Sequence, residues 1–292
     1  HPRYAIPPRI GMRYAPFALS RAIERAARTA IAEGFDFDLI DAHYLYPDGV
    51  AAAAAAARLG KPFVLTARGS DATYFPRFPD VRRRILDAVQ GADAVIAVSA
   101  SLKGVLEEIG APRGKVRVLR NGVDLATFSP QDQAHARAGL GITPFAYAAA
   151  SVGNLVERKG HDIAIRAIAR IKDSCLLVVG EGPFRARLEA LSREAGVADR
   201  VRFLGRIDHE RLAPVYAAAD ALILASAREG WPNVLLEAMA CGTRVVAADV
   251  GGVGEVVSAP EAGETVKERT PEAFADALGR AFSASRAPLA RE

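Results

Sequence analysis

Residues 219–249 read ADALILASAREGWPNVLLEAMACGTRVVAAD. An apolar run, Ala221 to Ala225, gives way to a polar turn, Ser226 to Trp231, then to Pro232 to Cys241 and a second apolar run, Val245 to Ala248. That order predicts strand, loop, helix, strand, the repeating unit of a parallel sheet. Pro232 suits the first helical position, where a missing N–H costs nothing, and Gly242 stands where a left-handed C-terminal turn is wanted. The helix PNVLLEAMAC is apolar almost all round, which predicts burial on both sides, and Glu237 is its only ionisable residue. A buried carboxylate is costly unless donors meet it. No Lys or Arg lies within a turn of Glu237, so the donor must come from elsewhere in the fold or from a ligand rich in hydroxyls. Glu229, in the loop before the same helix, completes a pair of carboxylates bracketing a helix N-terminus, whose free N–H groups favour an anion such as phosphate.

Working back from this stretch, the same alternation continues. Glu210 to Ala218 reads as a helix, residues 200–205 (RVRFLG) as a strand, residues 181–196 as a helix, and Leu176 to Val179 as a strand ending in GEGP. Gly180 and Gly182 there would let the backbone approach a ligand, although a lone GxG is weak evidence. Asp162 to Ile171 is a predicted helix, and Tyr147 to Val152 a strand followed by the turn SVGNLVERKG. Arg158 and Lys159 stand at the approach to that helix, where two cations and free N–H groups can converge on a diphosphate. Residues 271–283 form a last amphipathic helix.

The first half has the same rhythm from residue 37: strand Phe37 to His43, Ala-rich helix Gly49 to Leu59, strand Pro62 to Ala67, helix Asp80 to Gln90, strand Ala94 to Val98, helix Ser101 to Ile109 and strand Val116 to Leu119. Open parallel sheets bind ligands beyond the carboxyl ends of their strands. Here those places hold His43 and Tyr44, Arg68 to Asp71, Ser99, and Arg120 to Asp124, which could share one cleft. Residues 129–146, with Pro130, Gly139, Gly141 and Pro144 around a short helical piece, read as the linker between residues 1–128 and residues 147–292.

Glu229 and Glu237 as Glu-x7-Glu, a glycine after the first, and the ending AMACGTRVVA resemble retaining nucleotide-sugar glycosyltransferases of family 4. DAHYLYPDG, TARGSD and LRNGVD followed by Phe128 carry the resemblance into the first half. It implies the GT-B fold: α/β, two Rossmann-like domains with parallel sheets facing across a cleft. Residues 1–128 would be a partial acceptor-side domain, residues 147–292 the donor-binding domain, and the chain, opening on a Pro-rich stretch with no strand before it, a fragment cut at its N-terminus.

The resemblance also implies roles. Lys159, with Arg158, would neutralise the leaving diphosphate, Glu229 would lie by the hydroxyls of the donor sugar, and Glu237 would take the ribose diol. Gly230, Trp231, Asn233, Val234, Asn154 and Gly182 would complete the donor pocket; Asn154 stands where relatives often have an arginine. His43, Arg68, Gly69, Asp71 and Asn121 would line the acceptor side. Arg68 replaces the family's usual His, and a guanidinium can grip a diphosphate or an anionic sugar but cannot shuttle a proton. Asp71 and His43 are the candidates for a base. Glu255 fits an acidic position after a glycine loop. No metal or other cofactor is implied, the donor being a UDP- or GDP-linked sugar. Asp36-Phe37-Asp38 is formally DxD, the metal signature of the other large glycosyltransferase fold, but it precedes a strand and reads as a chance match. His1, His135, His161 and His209 have no ligand spacing.

Half of the 292 residues are hydrophobic and a quarter charged, the balance of a globular protein, and the longest apolar run, residues 50–57, is too short to span a bilayer. Cys175 and Cys241 lie in apolar surroundings and read as reduced packing residues, which favours the cytoplasm. Residues 1–128 hold 18 Lys and Arg against 13 Asp and Glu, the rest 20 against 21. A basic first half suits an anionic acceptor or peripheral contact with the inner membrane; surface scatter accounts for the excess equally well, and the Arg82 to Arg84 triple reads first as a solvated helix face. Nothing points to nucleic acid. The expected activity is transfer of a sugar to a glycan or lipid-linked acceptor, as in bacterial cell-surface polysaccharide synthesis. Alternatives are a nucleotide-sugar epimerase of the same fold, for which the loop 226–231 offers only Glu229 as an acid-base group, and a fragment that binds without turnover.

Overall fold

The computed structural model describes residues 11–285, and the chain divides into two compact units with the boundary between Asn121 and Gly122. In the first unit, β1 (Ile40–His43), β2 (Phe63–Ala67), β3 (Ala94–Ala97) and β4 (Val116–Val118) form a parallel sheet in sequential order. Its helices are α1 (Gly11–Ala32), α2 (Val50–Leu59), α3 (Ser70–Thr73), α4 (Pro79–Gly91) and α5 (Ala100–Glu108). The strands and longer helices fall where the alternation predicts, within one to three residues at their ends.

The exception is α1, a 22-residue helix over a stretch to which the sequence pattern assigns no element. Its buried face is made of Ala15, Leu19 and Ala22 at helical spacing, so the apolar stripe exists but is mostly alanine. Pro16 conceals it further. Proline has no N–H to give the carbonyl four residues back, which leaves the Met12 oxygen without its helical partner. The hydroxyl of buried Tyr46, in the turn after β1, donates to that oxygen instead.

In the second unit, six parallel strands run in the order β10-β9-β8-β5-β6-β7: β5 (Tyr147–Val152), β6 (Ser174–Val179), β7 (Val201–Gly205), β8 (Ala221–Leu224), β9 (Arg244–Ala248) and β10 (Gly263–Val266). Both faces are covered. Buried residues of α6 (Gln133–Gly139), α9 (Ala213–Ala218), α10 (Asn233–Ala240) and α11 (Val253–Val256) form one core, and those of α7 (His161–Ala169), α8 (Arg185–Glu194) and α12 (Pro271–Ser285) the other. A strand buried on both faces should be apolar without alternation, and every residue of β6 is buried.

Two expectations about organisation need correction. The boundary precedes Phe128, which is 1% exposed inside the second unit's core. Residues 129–146 are not a linker either. Ile142 is fully buried, and Arg137 of α6 holds Asp220 at 2.6 Å and the Ala218 carbonyl at 3.0 Å, while Asp220 also accepts the Ala148 N–H at 2.8 Å. The glycines and prolines that suggested a linker mark the ends of a short helix built into the fold.

Helix α10 ends as the sequence predicts. Gly242 has φ +81°, its N–H donates to the Met239 carbonyl and the Thr243 N–H to Ala238, the paired bonds of a Schellman turn. Pro232 sits one place earlier than expected, as the cap before the first helical residue.

Candidate active site

From β5 the second unit's sheet grows through β6 to β7, and the chain then returns to the other side of β5 to place β8. The helices that follow β5 and β8 therefore lie on opposite faces of the sheet, which puts the switch point at the carboxyl ends of these two strands, the place where sheets of this kind bind ligands. Lys159 lies in the loop after β5 and Glu229 in the loop after β8. They meet: Lys159 Nζ donates to Glu229 Oε1 at 2.7 Å, with side chains 16% and 10% exposed. The backbones are joined beside them, the Ala227 N–H donating to the Arg158 carbonyl at 2.7 Å. Arg158 itself is exposed.

Glu237, on the second turn of α10, has its donors within the protein. Tyr216 of α9 donates its hydroxyl to Oε2 at 2.6 Å, and His209 Nε2 lies 3.1 Å from Oε1. Burial, and then the neighbouring carboxylate, raise the Tyr216 phenol above its usual pKa, so it stays a donor. Neither partner was identified from the sequence. A signal was there: Tyr216 and Glu237 are each a lone polar group in an apolar helix, and two such groups often satisfy one another. Of the other residues expected around the donor, Gly230 is buried, Trp231 and Val234 are half-buried against the core, and Asn233 is exposed at the start of α10. Glu255 is half-buried in α11.

The loop after β5 is fixed by His161, the first residue of α7 and 2% exposed. Its Nε2 lies 3.3 Å from the Asn154 carbonyl and its Nδ1 2.8 Å from Ser151 Oγ, an arrangement that suits a neutral ring donating to the carbonyl and accepting from the hydroxyl. Burial pushes its pKa down to about 4. Asn154 is exposed. The glycines of GEGP lie where two loops crowd together. A Cβ on Gly180 would sit 1.9 Å from the Gly153 carbonyl oxygen, and one on Gly182 2.4 Å from that of Leu155. Glycine at both positions lets the loops after β5 and β6 pack together.

In the first unit, His43 and Arg68 come together at the ends of β1 and β2. Arg68 donates to His43 Nδ1 from Nε at 3.1 Å, with its terminal nitrogen 2.8 Å away, and His43 Nε2 faces Asp41 at 3.4 Å. With Nδ1 accepting, the ring proton sits on Nε2. Asp71 is not open to a substrate. It is fully buried, and its oxygens accept the N–H groups of Leu45, Arg68 and Gly69 at 2.7 to 3.2 Å, bracing the loops after β1 and β2. A carboxylate so enclosed serves the fold, not proton transfer. Asn121 follows β4, two strands from β2, so sheet order separates it from Arg68. Asp36, of the DxD match, pairs with Lys61 at 2.7 Å, and among the described residues no three of His, Cys, Asp or Glu group as a metal site would require.

Two parallel-sheet α/β units in one chain, the second carrying an acid-base pair at its switch point, define a protein of the GT-B glycosyltransferase type. Residues 133–290 match the family described as glycosyl transferases group 1, and residues 1–127 that described as glycosyltransferase family 4. The chain belongs to the group 1 glycosyltransferases. It is 34% identical over 285 residues to D-inositol 3-phosphate glycosyltransferase of Acidothermus cellulolyticus, covering 90% of this chain and 63% of that one. To the protein of that name from Mycolicibacterium gilvum it is 40% identical over 187 residues, covering 62% and 42%. The chain thus spans less than two thirds of the length of either relative. Sucrose-phosphate synthase from Thermosynechococcus elongatus superposes with a TM-score of 0.81 at 28% identity, over 97% of this chain and 74% of that one. The Anabaena protein HepE, solved with UDP and glucose, gives 0.80 at 24% identity over 93% and 76%, a likeness of fold.

Proposed function

We propose that the chain belongs to a retaining glycosyltransferase that moves a sugar from a nucleotide-sugar donor to a hydroxyl acceptor. The observation that carries this reading is the meeting of Lys159 and Glu229 across the switch point, with Glu237 one helix further on, in a member of this family. A nucleoside diphosphate would take the Lys159 ammonium, Glu229 would turn to the sugar hydroxyls, and Glu237 would accept from the ribose diol. As the bond from the sugar's anomeric carbon to the phosphate oxygen breaks, its electron pair goes to the diphosphate, where Lys159 and Arg158 stabilise the charge. Attack from the face the phosphate leaves gives retention, with a phosphate oxygen receiving the acceptor's proton. The donor is UDP- or GDP-linked on this reading, and the reaction runs without a metal, in the cytoplasm.

Two acceptors have support. A small anionic polyol fits the names of the relatives and the Arg68 guanidinium at the end of β2. A lipid-linked or glycan acceptor at the inner membrane, as in surface polysaccharide synthesis, fits the outer face of α1, where exposed Tyr14, Phe17, Arg21, Arg25 and Arg28 share one stripe. Among the described residues no helix is long and apolar enough to cross a membrane. The deciding experiment is calorimetric titration with UDP, GDP and ADP, repeated on Glu237→Ala. Micromolar binding of one nucleotide, abolished by the substitution, is expected. A folded chain that binds none, or a variant that binds as tightly, overturns the reading.

A further inference from the structure

Glu237 is held by two partners of opposite character. Tyr216 is fully buried and reaches the carboxylate from the core; His209 lies in the turn His209–Arg211 after β7 with 65% of its side chain exposed. The Glu237 side chain is only 7% exposed. Its inner oxygen is therefore fastened permanently, and its outer oxygen, Oε1, is covered by a surface imidazole standing edge-on to buried Phe128 with ring centroids 4.9 Å apart. A ligand approaching this carboxylate from solvent meets His209 first.

We propose that His209 is a displaceable cap on Glu237, and that nucleotide binding exchanges its N–H for a ribose hydroxyl on Oε1. The inference rests on the reading of Glu237 as the ribose-binding group. The exchange replaces one hydrogen bond by another, so it costs little. With the imidazole removed, Oε1 stands open and a ribose hydroxyl meets no competitor for it. His209 thereby sets how tightly the donor is held.

The test is titration of the whole chain with UDP-, GDP- and ADP-glucose, repeated on His209→Gln and His209→Ala. His209→Gln, which keeps an N–H at the same reach, should stay close to the wild type; His209→Ala should bind the preferred donor about fivefold more tightly. An alanine variant that binds no more tightly than the wild type, or a glutamine variant that gains as much as the alanine one, overturns the proposal. The side chain is exposed, so both variants should fold, and a melting curve checks it. Failure of the underlying reading looks different: Glu237→Ala would bind as well as the wild type.

Discussion

Lys159 and Glu229 satisfy one another at the switch point, where neither is more than 16% exposed, so a ligand that takes one must leave the other a new partner. A nucleotide sugar would supply both, phosphate for the ammonium and hydroxyls for the carboxylate. On this account Lys159→Ala should lower turnover by about 10²- to 10³-fold, the usual cost of removing a preorganised transition-state contact, while donor affinity falls much less. Separate measurement of kcat and of the donor dissociation constant decides it; equal losses in both would count against a role in departure of the leaving group. His161 gives a second expectation at this scale. In the folded chain it takes up a proton only near pH 4, whereas in the unfolded chain it does so near 6.5. Between those values the unfolded state binds more protons, so the stability that the neutral ring contributes is complete above pH 6.5 and is lost as pH falls toward 4, by about 3 kcal/mol at most. Urea unfolding across this range should show a shallower acid loss for His161→Asn than for the wild type. The charged residues of the candidate site were visible in the sequence, Lys159 and Glu229 in loops beside apolar elements and Glu237 as the one charge in an apolar helix. Their partners were not: Tyr216 and His209 reach Glu237 from 21 and 28 positions away, a pairing that only the packing of α9 and the turn after β7 creates.

Among the elements, those in regular alternation could be read directly, because parallel strands buried on both faces give unbroken apolar runs. Helix α1 could not. Alanine carries little of the hydrophobic contrast on which periodicity depends, and Pro16 signals a break that Tyr46 repairs from a turn some thirty positions away. In the GEGP loop the glycines stand where the neighbouring loop crowds the backbone, a contact that no local pattern reveals. Helix α10 allows a clean test of the element-level reasoning. A methyl at Gly242 would touch only a Pro130 side-chain carbon, at an ordinary 4.0 Å, so Gly242→Ala introduces no clash. Its cost is purely conformational, about 1 to 2 kcal/mol for a residue with a side chain in the left-handed region. The urea midpoint should fall by that energy divided by the m-value, which itself stays unchanged. No measurable loss would mean that the turn after α10 has another conformation.

For the whole molecule, the division into two α/β units was legible and the place of division was not, because the segment between them spends its glycines and prolines on turns around α6 and buries Phe128 and Ile142 in the second unit. Sheet order cannot be read from local sequence at all, and here it decides where the site lies. The pairing of β5 with β8 joins Ala149 to Ala221, more than twice the sequence separation of any other strand pair in either unit. Closing so long a loop is the costliest step in assembling the second unit's sheet. Pulsed amide exchange during refolding should therefore find β8 protected after β5 and β6; simultaneous protection would argue against this order. The Lys159–Glu229 pair bridges that same seam, so it comes into being only as the last strands register. A nucleotide that binds there has nothing to recognise in the folding transition state. It should leave the refolding rate unchanged and slow unfolding alone, which makes the ligand a clasp on the finished molecule and no help in building it.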